Sequence, residues 1–67
     1  MSKHNIGENM KRMRADKSMT QTDLSYFSRV GIASISMLER GVTSNPRIDS
    51  LVAIAKVLDV TLDDLVK

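Results

Sequence analysis

Apolar positions recur every three or four residues along most of this chain, and polar clusters break the rhythm at intervals. Ile6, Met10 and Met13 fall on one helical face, with Lys17 at its end, where its methylenes can lie on the core while its ammonium stays in water. Asn5 and Glu8 stand at the spacing of an N-cap and its third-position partner, so the pattern predicts a first helix over about 5–17. Thr20 and Asp23 repeat that spacing and open a second helix over about 21–27, with Leu24 and one of Tyr26 and Phe27 turned inward. A third helix, about 32–40, buries Ile35 and Leu38 and stops at Gly41, the residue best suited to a left-handed cap.

The stretch "VTSNP" reads as a loop, because a residue before proline avoids the helical region. Beyond it a fourth helix, about 48–58, carries Ile48, Leu51, Ile54, Ala55 and Leu58, with Val52 and Val57 widening the stripe past one face. Thr61 and Asp64 cap a last short helix that turns Leu62, Leu65 and Val66 inward. There is no strand alternation, repeat, linker or low-complexity tract. The expected fold class is therefore all-α, a compact five-helix domain spanning residues 1–67.

Composition narrows the function. At 67 residues the core must be economical, since a chain this size buries only about 60% of its unfolded surface. Without cysteine it has neither disulfide nor thiolate metal site, and with no membrane-length apolar run or signal-like N-terminus it reads as soluble and cytoplasmic. Tyr26 and Phe27 are the only aromatic side chains, too few for stacking on single-stranded nucleic acid. Charge is divided: residues 1–47 carry a net +4 and residues 48–67 a net −2, a basic front that suits a polyanion on one side.

Catalysis finds no constellation. His4 stands alone near the terminus, Asp63 and Asp64 are neighbours at a helix start, and no nucleophile, base and orienter can be assembled; a metal site lacks ligands, and no cofactor or small-molecule substrate is implied. The informative unit is the second helix, its tight connection and the third. Two helices this short cross steeply over the others and leave the second of them protruding, a helix-turn-helix arrangement.

"IGENMKRMR", "TQTDLS", "SISMLERG", "NPRIDSLVAIAKVL" and "VTLDDL", in this order and spacing from Ile6 to Leu65, resemble the phage repressor and Cro type of helix-turn-helix, the XRE or lambda-repressor-like family. The resemblance implies a sequence-specific, double-stranded-DNA-binding transcriptional regulator, a repressor or Cro-like protein associated with the nucleoid. Its third helix would enter the major groove as part of a homodimer on a palindromic operator.

By the same resemblance Gln21 contacts a phosphate at the start of the second helix, and Arg14 and Glu39 form a structural ion pair between the first and third. Thr43, Ser44, Asn45, Arg40 and Arg47 grip the backbone around the loop after the third helix. Charge alone leaves Lys11 and Arg12 either reaching flanking phosphates or forming a plain solvated face. Two departures mark the turn. Arg29 stands where the family usually has glycine, a left-handed position, and is expected to face the DNA backbone; Gly31 replaces the usual Ser or Thr cap.

Taking Ile35 as inward at about 100° per residue, Ala33, Ser36, Met37 and Arg40 point away from the core, with Ile32 and Ser34 on the flanks. The expected base contacts are Ile32, Ala33, Ser34, Ser36 and Met37. None supplies a bidentate Arg or Gln pairing, so readout would rest on thymine methyls, short polar contacts and DNA shape. Val57, Val60 and Leu62 are the expected dimer contact. The competing reading is a protein-interaction module, antitoxin-like or partner-docking, that keeps the fold and uses the apolar outer face of the third helix as a docking patch.

Overall fold

The computed structural model describes residues 5–43 and 45–67. In chain order it holds α1 (Ile6–Asp16), α2 (Gln21–Ser28), α3 (Ile32–Arg40), α4 (Ile48–Leu58) and α5 (Leu62–Val66), with no strand among the described residues. Met10, Leu24, Ile35, Ile54, Leu58 and Leu65 are fully buried, so every helix gives at least one side chain to a single core. α3 packs on α1 and α2, while α4 closes the other side of α2 and meets α5.

Local chemistry accounts for the boundaries. Thr20 and Asp23 form a reciprocal capping box on α2, and Thr61 and Asp64 form another on α5, as their spacing predicts. Asn5 makes no such bond: its backbone lies at φ −101°, ψ 45°, outside the extended region a cap requires, and Glu8 pairs instead with Lys11 at 4.0 Å. Left-handed residues follow α1 (Ser18), α3 (Gly41) and α4 (Asp59). After each, an N–H returns to a carbonyl five residues back: Met19 to Arg14 at 2.9 Å, Val42 to Met37 at 3.2 Å and Val60 to Ala55 at 3.0 Å.

Three burial expectations need correction. Tyr26 and Phe27 are both exposed, at 77% and 61%, because Leu24 and Ser28 already fill the inward face of α2; the two rings pack edge to face on each other. Ile48 is 58% exposed, so the buried stripe of α4 begins at Leu51. Lys17, the C-cap of α1, is exposed. Val57, Val60 and Leu62, the expected dimer contact, are half-buried against the core, and the more open apolar side chains of α4 are Ile48 and Val52.

Arg29 does adopt the left-handed conformation, at φ 62°, ψ 22°. A side chain there costs about 1–2 kcal/mol, partly offset in a glycine variant by about 0.4–1 kcal/mol of extra unfolded-state entropy. Arg29→Gly is therefore expected to raise the thermal midpoint by a few degrees, at about 4–8 °C per kcal/mol for a domain of this size. A lowered midpoint in a calorimetric scan would refute the strain.

Candidate nucleic-acid interface

The turn between α2 and α3 is held by two hydroxyls. Ser25 Oγ donates to the Val30 carbonyl at 2.7 Å, and Ser28 Oγ accepts the Val30 N–H at 3.2 Å. These bonds, with Val30 itself buried, set the direction in which α3 leaves the turn. Neither serine stood out in the sequence, although hydroxyls beside a helix end commonly bond the local backbone.

The other end of α3 is held by one carboxylate. Glu39 accepts Arg14 Nε at 2.7 Å and Arg14 Nη2 at 2.8 Å, a bidentate pair, and Gln21 Nε2 at 3.0 Å. Arg14 Nη1 also donates to the Met19 carbonyl at 2.8 Å, so α1, the α1–α2 connection, α2 and α3 converge on one buried point. Burial pushes the Glu39 carboxyl up, but hydrogen bonds from Arg14 and Gln21 outweigh it and hold the carboxyl below its ordinary range. The bond to Glu39 raises Arg14 in turn.

Gly7 completes this support. A Cβ there would lie 2.6 Å from the Glu39 carbonyl oxygen and 2.7 Å from that of Leu38, so only glycine lets α1 and α3 approach so closely. An isolated glycine inside a helical pattern is the signal that could have revealed it. On the far side of α1, the buried Asn9 donates Nδ2 to the Leu65 carbonyl at 2.8 Å and ties α1 to α5.

So supported, α3 presents Ile32, Ala33, Ser34 and Met37 to solvent, with Ile32 46% and Met37 43% exposed. Ser36 is half-buried on a flank instead of at the outer face. The start of α3 has Gly31 as N-cap with no side-chain cap bond and no acid in its first turn, which leaves its field open to an anion. An open cleft of about 380 Å³ beside it brings together Arg29, Gly31, Ser34, Arg47, Asp49 and Ser50. A smaller one, about 180 Å³, sets Thr43, Asn45 and Arg47 around Ser34 and Met37.

The expected backbone contacts thus divide. Arg29, Thr43, Asn45 and Arg47 gather along α3, whereas Ser44 lies outside the described residues, as does His4. Arg40 is exposed in the last turn of α3, and Arg12 donates to Asn9 Oδ1 at 3.2 Å on α1. Gln21 is half-buried with its amide nitrogen turned to Glu39, and Asp23 already places a carboxylate at the start of α2. Among the described residues no helix is long and apolar enough to cross a membrane.

Two short helices joined by a tight turn, with the second held from both ends and bare on its outer side, define the helix-turn-helix class, and the chain belongs to the helix-turn-helix family, whose model matches residues 10–65. It is similar to the N-terminal DNA-binding domain of SinR from Bacillus subtilis, with a TM-score of 0.91 and 31% identity over 96% of this chain and 93% of that one. It is similar also to SinR, the master regulator for biofilm formation, in complex with DNA (TM-score 0.87, 31% identity, 92% of this chain and 98% of that one). The DNA-binding domain of the P22 C2 repressor matches with a TM-score of 0.84 and 28% identity over 100% of this chain and 87% of that one. In the SinR/SinI complex the chain spans 60% of the matched chain. No curated protein sequence matches.

Proposed function

We propose that residues 1–67 act as a single DNA-binding module that lays α3 in the major groove, as one half of a homodimer on a palindromic operator. The protein is a sequence-specific DNA-binding transcriptional regulator of repressor type. The observation that carries the reading is the bare outer face of α3, flanked by Arg29 and Arg47 and rigidly backed by Glu39 and Gly7.

Ile32, Ala33 and Met37 read thymine methyls, Ser34 and Ser36 make short or water-bridged polar contacts, and DNA shape supplies the rest. Arg29, Arg40, Thr43, Ser44, Asn45 and Arg47 hold phosphates, with Gln21 and Arg12 toward the edges of the footprint. Val57, Val60 and Leu62 form the dimer contact. The partner is duplex DNA; the reading involves no catalysis, cofactor, membrane or small-molecule substrate, and its setting is the cytoplasm.

The test is selection of bound duplexes from a random pool, followed by gel-shift titration at two salt concentrations. Affinity that falls steeply with salt is expected, since each neutralised phosphate releases counterions. Salt-insensitive or absent binding would favour the protein-interaction module. Replacing operator thymines by uracil is expected to weaken binding at one or more positions of each half-site, and unchanged affinity at every position would exclude methyl readout.

A further inference from the structure

Asp49 is the one carboxylate among the described residues that line the larger cleft, which it shares with Arg29, Arg47 and Gly31 at the open start of α3. It does not serve packing, being 86% exposed along its side chain. It makes no capping bond, although as the acid in the first turn of α4 it complements that helix's dipole. Asp23 and Asp64 stand at the third position of their helices and bond back to the N-cap N–H, whereas α4 has Arg47 as its N-cap and no side-chain cap bond. Among the described residues, Asp49 forms its ion contact with the Arg47 guanidinium, Nη2 lying 3.9 Å from Oδ2.

We propose that Asp49 is an intramolecular stand-in for a DNA phosphate, holding Arg47 and opposing the phosphate that would replace it, so that it lowers DNA affinity. This rests on the DNA-binding reading above. An exposed ion pair of this kind is weak and opens readily, which suits a contact that must be exchanged on binding. Because phosphate contacts carry no sequence information, the restraint falls on non-specific binding as well as on the operator, and it leaves discrimination to the outer face of α3.

The 67-residue chain and its Asp49→Asn, Arg47→Ala and double variants are titrated against a random-sequence duplex over a range of salt, with melting curves as a check on folding. Asp49→Asn is expected to bind about threefold to fivefold more tightly and to steepen the logarithmic salt dependence by about one unit, the equivalent of one further phosphate contact. In the Arg47→Ala background the gain should shrink below about twofold, since the restrained group is gone. Unchanged or weaker binding by a folded Asp49→Asn chain overturns the proposal, and an equal gain with and without Arg47 overturns it too, leaving only bare charge repulsion. A wild-type chain that binds no duplex at all is a different failure, because it removes the DNA-binding reading itself and the proposal with it.

Discussion

Replacing Glu39 by alanine is expected to cost about 3–5 kcal/mol of folding stability, the range for removing one partner of a buried ion pair. The loss strands Arg14, whose side chain is only 18% exposed, and takes the acceptor from Gln21 Nε2. A chain of 67 residues has a total stability of about 3–10 kcal/mol, so the variant should be largely unfolded at physiological temperature or close to its midpoint. Urea denaturation reads this directly, and a loss below about 1 kcal/mol would show that the carboxylate is not the support described. Replacing Arg14 and Glu39 together by apolar residues of similar volume should restore much of the loss, because no charge is then left buried alone.

The same carboxylate sets an acid limit. Its folded-state value lies below the ordinary one, so its contribution is fully present above about pH 4.3 and is lost as pH falls through the lower folded value. Stability measured in the Glu39→Gln background should lose that part of its pH dependence.

Gly7→Ala is the second large effect. The added methyl meets two backbone carbonyl oxygens, those of Leu38 and Glu39, and backbone cannot swing aside as a long side chain can. Alanine favours a helix interior by about 1 kcal/mol, yet overpacking of this kind costs about 1–3 kcal/mol, and a clash with fixed oxygens belongs at the upper end. The variant is expected to be destabilised by about 1–2 kcal/mol net. It should also lose DNA affinity beyond what the unfolded fraction explains, because relief comes by pushing the end of α3 away from α1. A Gly7→Ala chain as stable as wild type, with unchanged affinity, would mean that α1 and α3 need not approach so closely.

Most of the scaffold was legible along the chain. Helical periodicity, the Thr20/Asp23 and Thr61/Asp64 boxes, Gly41 and Pro46 are local signals, and they place the helices to within a residue or so of α1 to α5. The aromatics illustrate the limit of that logic. Periodicity cannot say how much of a short helix a neighbour covers, and Leu24 with Ser28 suffices for α2, leaving Tyr26 and Phe27 outside. Gln21 has a partner that spacing alone does not reveal: the carboxylate that takes its amide nitrogen lies 18 residues away along the chain.

What the sequence determined by itself was therefore the set of helices, their ends apart from the Asn5 cap, the basic front and, except for Ser36, the residues on the outer side of α3, because each depends on neighbours within a turn or two. Only the tertiary structure decided that Glu39 joins three helices, that Gly7 is a point of close approach, and that Arg29, Arg47 and Asp49 meet beside the start of α3. Those relations depend on crossing angles and interhelical distances, and no local pattern encodes where a side chain ends up once the helices have packed.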